Sequence, residues 1–490
     1  MFTRLSLLSL LALSGFGQAY KEPYRPQVHF SPKQHWTNDP NGLVFFEGEY
    51  HLFFQYNPFG DVWGHMSWGH AVSPDLLHWQ ELPVALREEN GVMIFTGSVV
   101  IDRGNTSGFC LGSRPCMVAV YTGHTPGTET KPALQTQNLA FSNDRGRTWT
   151  KYSENPVVNL NMSDFRDPNV FWSEQSKRWI MAVSLPNDHK VVFYGSPDLK
   201  RWNRLSEFGP AGAISGQWEC PDVFQLPVDA NPSKRRWVLK VGLNPGGLQG
   251  GSGEQYFIGK FDGNRFVNDN PPTVTLWTDY GKDCYCALTF NNLPASRRPV
   301  MLGWMNNWQY ADKLPTHPWR GQMTIPRELS LQTFPEGIRL VQKPILKSLR
   351  EIHTIASNNI SAESFSFTAT MDPRGAKVAG WKLFSGNDAY TEIGYDSVRK
   401  EVFVDRTHTG STDFSEDFPA RTAAPFLAPP GPLTFDVLVD RNSIEVFTAG
   451  GRIAITNLIF TPPTIRLSFF SEGGNPASLS LDSWSLRSIW

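Results

Sequence analysis

Short apolar runs separated by turn-forming residues dominate the chain, and helical periodicity is almost absent. Representative runs lie at residues 50–54, 117–121, 179–183 and 237–241. Clusters of Gly, Pro, Asn and Asp interrupt these runs at intervals that are typical of an all-β chain. The 41 glycines and 37 prolines can supply the many turns that such a chain needs. The pattern therefore predicts an all-β fold.

A loose internal repeat runs through the first part of the chain. The sequence Ser-Pro-Asp-Leu-x-x-Trp occurs twice, and a weaker copy keeps its Ser, Asp and Trp, at residues 73–79, 196–202 and 142–149. An acid next to a proline, followed by an apolar strand, also recurs, at Asp39-Pro40, Asp167-Pro168 and Pro221-Asp222. Repeats that each supply several strands and a turn are typical of propeller blades. Coincidental similarity among β-rich segments is the alternative interpretation.

The pattern changes in the last third of the chain. From residue 364 onward, apolar and polar positions alternate regularly, as at 434–439 and 443–447. Strands with one apolar and one polar face are typical of a β-sandwich. We therefore predict three segments after the N-terminus, namely a propeller at 20–345, a linker at 346–358 and a β-sandwich at 359–490.

The first 19 residues have the composition of a secretory signal peptide. Arg4 supplies a positive charge, residues 5–16 form an apolar core, and Gly17-Gln18-Ala19 provides a small-residue cleavage site. The apolar core is too short to span a membrane, and we expect no membrane span elsewhere. A buried N-terminal helix is the alternative. We predict a secreted protein that is located outside the cell or in the cell wall.

Charge and composition narrow the class of ligand. The 45 Lys and Arg residues nearly balance the 46 Asp and Glu residues. No basic stripe stands out that could neutralise a run of phosphates, which argues against nucleic acid as a partner. Aromatic residues make up 13% of the chain, which favours a neutral, ring-shaped ligand. The histidines between residues 35 and 78 lack ligand spacing such as His-Glu-x-x-His, so we expect no metal and no cofactor.

Secretion would allow the cysteines of this chain to form disulfides and its N-glycosylation sequences to be used. Cys110 and Cys116 lie six positions apart in a segment with Gly112 and Pro115, and we predict that they form a disulfide. The remaining three, an odd number, are interpreted as mostly buried thiols, namely Cys220, Cys284 and Cys286. Acceptor sequences for N-glycosylation begin at Asn105, Asn161 and Asn359.

Three acids lie in turns flanked by aromatic residues, where an ordinary surface acid has little reason to be. They are Asp39, Asp167 and Glu219, and each is followed within two positions by a proline that restricts the local backbone. Taken singly, each acid could be a turn former or a salt-bridge partner. Because each belongs to a repeat unit, a radial fold would bring them to one axial pocket. Two carboxylates on either side of a glycosidic bond are sufficient for its hydrolysis.

These motifs closely resemble the signature sequences of glycoside hydrolase family 32, the β-fructofuranosidases, and especially those of secreted fungal invertases and exo-inulinases. The resemblance runs from about residue 28 to the C-terminus, with further motifs at 53–58, 62–64, 95–98, 242–247, 303–308 and 440–447. It implies a five-bladed β-propeller followed by a β-sandwich, and hydrolysis with retention of configuration. Three places depart from the usual family sequence, namely Thr37, Thr96 and the stretch 283–287. The last of these bears on the part of the pocket that distinguishes sucrose from longer fructans.

The resemblance also implies a role for each acid. Asp39 would be the nucleophile, Glu219 the acid/base that holds a proton near the working pH, and Asp167 the residue that stabilises the transition state. Arg166 would keep its neighbour Asp167 charged. The positions that would contact the sugar are Trp36, Asn38, Gln55, Trp63, Phe95, Ser98, Arg166, Cys220 and Trp304. A role in the propeller core is the alternative for Ser98 and Trp304.

The expected activity is that of an invertase-type hydrolase, which releases terminal non-reducing β-fructose from sucrose and related fructans. Three alternatives stay open: an exo-inulinase or levanase that prefers longer fructans, a fructosyltransferase with the same site, and an inactive fructan-binding protein. The expected partners are sucrose, fructo-oligosaccharides and fructans. A homo-oligomer formed through the sandwich is also left open.

Overall fold

The computed structural model describes residues 20–355, 359–360, 362–385, 388–461, 465–474 and 476–490, so the predicted signal peptide at 1–19 lies outside it. The described residues form strands joined by turns. Single-turn 3-10 helices occur at Pro186–Asp188, Ala311–Lys313, Lys347–Leu349 and Ala449–Gly451. Across these described ranges, no helix has the length and apolar character that a membrane crossing requires.

Consecutive antiparallel groups of strands form the blades of a propeller. The first blade contains β1 (His35–Phe46), β2 (Glu49–Tyr56), β3 (Ser67–Ser73) and β4 (Gln80–Leu86). The second contains β5 (Met93–Asp102), β6 (Cys116–Thr125), β7 (Leu134–Ser142), β8 (Thr150–Lys151) and β9 (Val158–Met162). The third contains β10 (Arg166–Ser173), β11 (Arg178–Leu185), β12 (Lys190–Ser196) and β13 (Asn203–Phe208).

The fourth and fifth blades share one continuous sheet. The fourth contains β14 (Gln217–Val228), β15 (Asn231–Asn244), β16 (Gly253–Phe261), β17 (Phe266–Asn268) and β18 (Leu276–Trp277). The fifth segment supplies β19 (Tyr285–Thr289), β20 (Val300–Trp304), β21 (Trp319–Arg320), β22 (Arg327–Phe334) and β23 (Gly337–Pro344). Strand β21 pairs with β1 rather than with its own blade, and this parallel pairing closes the propeller.

Burial within a blade follows the position of the strand. Every residue of β3 is buried, whereas the outermost strands β4 and β13 expose polar side chains. A strand that is covered on both faces needs an almost continuous apolar sequence, and this is why the sequence shows runs rather than alternation. The Ser-Pro-Asp repeat forms the turn between the third and fourth strands, where Asp75 and Asp198 each accept backbone N–H groups two and three positions on.

The innermost strands of the blades, β1, β5, β10, β14 and β19, contact one another in a closed ring around the propeller axis. Each of them has a β-bulge close to its beginning, where two residues face one residue of the next strand. The bulge residues are Asn38-Asp39, Phe95-Thr96, Asp167-Pro168, Cys220-Pro221 and Cys286-Ala287. Bulges redirect side chains and are common beside active sites.

Two six-stranded antiparallel sheets form the C-terminal sandwich. One contains β24 (Arg350–Ile355), β26 (Phe365–Asp372), β31 (Leu433–Asp440), β32 (Ser443–Thr448), β33 (Ile453–Leu458) and β35 (Ala477–Leu486). The other contains β25 (Asn359–Ile360), β27 (Val378–Ser385), β28 (Ala389–Asp396), β29 (Glu401–Asp405), β30 (Arg421–Pro425) and β34 (Ile465–Glu472). Strand β24 lies inside the segment predicted as a linker and pairs with β35, so this sheet takes in part of that segment.

The prediction of an all-β protein with a five-bladed propeller and a β-sandwich is confirmed. Cys110 and Cys116 are joined by a disulfide. The interpretation of the other cysteines is wrong for two of them, because Cys220 and Cys286 form a second disulfide and only Cys284 among the three is a buried thiol. Of the glycosylation sequences, Asn105 and Asn161 are exposed, and Asn359 lies in β25 with its side chain outside the described part of the structure.

Candidate active site

The three predicted acids meet at one end of the propeller axis. A cavity of about 360 Å³ opens there, and Asp39, Asp167 and Glu219 all line it. They belong to three different innermost strands, β1, β10 and β14. The other lining residues are Asn38, Gln55, Trp63, Phe95, Thr96, His124, Gln135, Asp164, Arg166, Asn244, Tyr285 and Trp308. The bulges in the ring of strands therefore place chemistry-bearing residues around a single pocket.

Asp39 is held at the bulge of β1. Its Oδ2 accepts a hydrogen bond of 2.8 Å from the hydroxyl of Thr96 on β5. Its Oδ1 is buried and accepts no hydrogen bond from any residue that the structure describes. Burial, followed by the negative charge of Glu219, raises the pKa of Asp39 to about 6. An oxygen with no protein donor keeps its lone pairs for another partner, as an attacking carboxylate requires.

Asp167 is the first bulge residue of β10 and has a left-handed backbone (φ 67°), which Asp tolerates better than most residues. Its Oδ2 accepts a 2.9 Å hydrogen bond from the backbone N–H of Cys220. Its own N–H donates to the hydroxyl of Thr122 at 3.0 Å. Burial raises the pKa of Asp167 above its ordinary value, and the charges of Glu219 and Asp39 add to this effect.

Glu219 is held from both sides. Its Oε1 accepts hydrogen bonds from Nε and Nη2 of Arg166, at 3.0 and 2.8 Å. Its Oε2 accepts a short hydrogen bond from the hydroxyl of Tyr285. Arg166 also pairs with Asp164 at 2.8 Å. The guanidinium of Arg166 thus binds Glu219, while its charge also lowers the pKa of Asp167, as expected, by less than burial raises it.

The predicted sugar contacts divide into two groups. Asn38, Gln55, Trp63, Phe95 and Arg166 line the cavity, and Trp63 is the most exposed of them at 45%. The other four are buried behind the wall and do not line it, namely Trp36, Ser98, Cys220 and Trp304.

The buried residues support the wall instead. The indole N–H of Trp36 donates to Oδ1 of Asn38 at 2.8 Å. The hydroxyl of Ser98 accepts the N–H of Val170 and so links two blades. Trp304 packs against Trp308, with ring centroids 4.8 Å apart, and it is Trp308 that reaches the cavity.

Sequence reasoning missed two side chains that donate hydrogen bonds to the acids, Thr96 and Tyr285. Both lie in stretches where this chain departs from the usual family sequence, and the departures did not indicate that either is a site residue. Thr96 is recognisable afterwards as the bulge residue of β5 that corresponds to Asp39 in β1. Tyr285 stands directly before the bulge of β19, as Glu219 does in β14.

Asp39, Cys220 and Cys286 lie close together, with one ligand-type atom from each within 4.8 Å of the others. The two sulfurs are bonded to each other and offer no thiolate, which is the form of cysteine that binds metals. The arrangement therefore suits acid–base and nucleophilic chemistry by carboxylates better than metal binding.

Comparison with known proteins agrees with the fold and the cavity, which together are those of a propeller-type glycosidase. Residues 29–344 match the N-terminal domain of glycosyl hydrolases family 32, and residues 339–485 match the C-terminal domain of the same family. The chain belongs to glycosyl hydrolase family 32.

Similar proteins span almost the whole chain. A levanase of Bacillus subtilis (strain 168) is 42% identical over 100% of this chain and 74% of its own length. An extracellular exo-inulinase of Aspergillus awamori is 40% identical over 99% of this chain and 98% of its own length. The crystal structure of an exo-inulinase from Aspergillus awamori superposes with a TM-score of 0.89 at 38% identity, covering 96% of this chain and 100% of that one. A β-fructofuranosidase from Schwanniomyces occidentalis, complexed with fructosyl-erythritol, gives a TM-score of 0.85 at 33% identity, covering 97% and 100%.

Proposed function

We propose that the protein is a secreted, retaining β-fructofuranosidase that releases terminal non-reducing fructose from sucrose and fructans. The observation that carries the proposal is the convergence of Asp39, Asp167 and Glu219 on one cavity in a family 32 chain. Trp63, Phe95 and Trp308 add apolar ring faces to the same wall. Apolar faces combined with a few polar side chains suit an uncharged sugar.

In the proposed mechanism, Asp39 attacks the anomeric carbon of the terminal fructose. The bond from that carbon to the glycosidic oxygen breaks as the bond to the Asp39 oxygen forms, and Glu219 gives its proton to the leaving oxygen. Glu219 then takes a proton from water, which attacks the same carbon and releases fructose and free Asp39. Asp167 accepts hydrogen bonds from fructosyl hydroxyls and stabilises the positive charge that develops in the transition state.

A preference for fructans over sucrose is the second candidate, and the relatives favour it. The similar proteins include a levanase and several extracellular exo-inulinases. The exo-inulinases are extracellular proteins, which also supports secretion of this chain. Transfer of fructose to another sugar would use the same intermediate, with a sugar hydroxyl in place of water.

Product analysis on sucrose, inulin and levan, each at low and high concentration, tests the proposal. We expect free fructose as the product that accumulates from the start of the reaction. Relative rates on the three substrates decide between the sucrose and fructan preferences. Kestose-type products as the main outcome would indicate a transferase, and binding without any turnover would indicate a fructan-binding protein.

Variants of the two reacting acids test their roles. Asp39→Ala and Glu219→Gln should abolish fructose release from sucrose and leave the circular dichroism spectrum unchanged. The Glu219→Gln loss should be smaller on an aryl fructoside whose leaving group needs no proton. Glu174→Gln, which changes an exposed acid of the third blade, is the matched control and should keep wild-type rates. Near-native rates in either active-site variant would refute the assignment.

A further inference from the structure

The Cys220–Cys286 disulfide joins two blades directly behind the acids. Cys220 is the first bulge residue of β14 and follows Glu219 in the chain. Cys286 is the first bulge residue of β19 and follows Tyr285. Both cysteines are buried, and neither lines the cavity. The bond therefore connects the two positions next to the side chains that hydrogen-bond to each other in the site, Glu219 and Tyr285.

Cys220 is also close to the other two acids. Its backbone N–H donates to Asp167, and its Sγ lies 3.8 Å from Oδ2 of Asp39. A sulfur in a disulfide carries no proton, so this contact cannot be a hydrogen bond donated to Asp39. A free thiol at the same place would be a weak donor.

We infer that Cys220 and Cys286 are positioning residues for the carboxylates: their bridge fixes β14 against β19 and keeps a sulfur without a proton beside Asp39. This inference rests on the proposed function, in which Asp39 is the nucleophile. It adds that Cys220 and Cys286 affect the ionisation of Asp39 as a disulfide and not as free thiols.

The effect of a Cys220 thiol on the ionisation of Asp39 can be separated from the effects of the other groups that face Asp39. Glu219 faces it from β14, Asp167 from β10 and Tyr285 from β19, while the hydroxyl of Thr96 reaches it from β5 and the side chain of Asn38 from its own strand. Replacing Cys286 removes none of these groups. It adds one S–H donor at Cys220, and a donor stabilises the ionised form of Asp39. Ionisation then occurs at lower pH, and the acid limb of activity moves to lower pH.

The test compares variants that open the bridge in different ways. Cys286→Ala removes the bridge and leaves a thiol at Cys220, whereas the double variant Cys220→Ala/Cys286→Ala removes the bridge and leaves neither thiol. The double variant Cys110→Ala/Cys116→Ala removes the other disulfide, which lies outside the cavity, and serves as the matched control. The measurements are kcat and KM for fructose release from sucrose between pH 3 and pH 8, and the melting temperature of the full chain.

We expect the acid limb of kcat/KM in Cys286→Ala to move down by about half a pH unit, the size of a weak S–H hydrogen bond. Cys220→Ala/Cys286→Ala, which leaves neither thiol, should keep the wild-type acid limb. Both variants should melt at lower temperature than the wild type, because the bridge closes a segment of 66 residues. The control should also melt earlier and keep the wild-type pH profile.

An unchanged acid limb in Cys286→Ala would overturn the inference, and so would an equal shift in Cys220→Ala/Cys286→Ala or in the control. Cys286→Ser, which also leaves the thiol of Cys220, replaces Cys286→Ala if the latter does not fold. Failure of both to fold would assign the bridge a purely structural role and reject the inference. The proposed function fails separately, if wild-type protein releases no fructose.

Discussion

The hydroxyl of Thr96 donates a hydrogen bond to Asp39, which should favour the ionised form of that acid. The proposed mechanism needs an ionised Asp39, so activity should fall as the pH drops through the pKa of Asp39, which burial raises to about 6. The Thr96 hydroxyl opposes this rise by donating to Oδ2. Thr96→Val keeps the shape and removes the donor, and a hydrogen bond to a charged group is worth roughly 1.5 kcal/mol, about one pKa unit. The acid limb of the kcat/KM profile should therefore move up by about one pH unit.

Thr96→Ser keeps the hydroxyl and is the matched control for this prediction. Its acid limb should coincide with that of the wild type. If Thr96→Val also kept the wild-type limb, the hydroxyl would not act on the ionisation of Asp39.

Trp308 and Trp304 have different roles although they are four positions apart. Trp308 is half-buried and lines the cavity, whereas Trp304 is fully buried behind it. Loss of one aromatic wall costs roughly 1.5–3 kcal/mol of burial, so Trp308→Ala should lower kcat/KM about tenfold to a hundredfold with little change in stability. Trp304→Ala should lower the free energy of unfolding by about 3–5 kcal/mol. Chemical denaturation and steady-state kinetics on both variants check this, and the reverse pattern would restore Trp304 as the sugar contact.

At the scale of the elements, a buried ion pair fixes the bulge of β19. Lys240 of β15 pairs with Glu254 of β16 at 3.0 Å and also donates to the carbonyl of Ala287 in that bulge. The N–H of Ala287 donates to Glu254. Burial raises the pKa values of Glu254 and of nearby Asp222 to about 6 in the folded protein. The pair therefore ties three strands of two blades together beneath the cavity.

Lys240→Met should lower the free energy of unfolding by about 3–5 kcal/mol at pH 7.5, because Glu254 and Asp222 lose their buried cation. The folded pKa values lie above the ordinary 4.5 and 3.8, so protonation of these acids favours the folded state as the pH falls through about 6. The cost of the substitution should thus shrink at pH 5. Urea unfolding at both pH values measures it, with the exposed Lys177→Met as control, and an equal cost at both would contradict this account.

The ring of bulges explains what the sequence could and could not predict. Asp39, Asp167 and Glu219 are recognisable because a proline and aromatic neighbours mark each one. The corresponding positions in the second and fifth blades, Phe95-Thr96 and Cys286-Ala287, lack the proline and were not recognised as equivalent. The pairing of Cys220 with Cys286 depends on two strands that lie far apart in the chain and meet only when the ring closes. Local sequence carries no signal for such a pairing.

The ring of innermost strands also determines which buried charges pair with each other. Arg166 and Asp167 are adjacent in the sequence, yet successive residues of a strand point in different directions, and the bulge rotates Asp167 further. Arg166 consequently binds Glu219, a residue of the next blade. Proximity along the chain indicated which residues belong to the site, and tertiary structure decided which of them bind each other.

At the scale of the whole molecule, buried charges join the propeller to the sandwich. Arg406 of the sandwich pairs with Asp283 of the propeller at 2.5 Å and donates to the hydroxyl of Tyr310 at 2.8 Å. Arg327 of the propeller pairs with Glu445 of the sandwich at 2.5 Å. These side chains are all fully buried. A buried charge that loses its partner is costly, so neither domain can separate from the other without a large penalty.

The two domains should therefore unfold together, in one calorimetric transition. Arg406→Met leaves Asp283 buried without its cation, which costs about 3–5 kcal/mol, and should lower the melting temperature by about 3–5 °C in a chain of this length. Arg399→Met, which changes an exposed arginine of the same domain, should leave it unchanged. Asp283 stands two positions before Tyr285, whose hydroxyl donates a hydrogen bond to Glu219, so the interface and the site should be lost together. We therefore expect the whole endotherm to shift as one and fructose release to be lost at the same temperature. Two separate transitions, with only the sandwich affected by Arg406→Met, would show that the interface does not couple the domains.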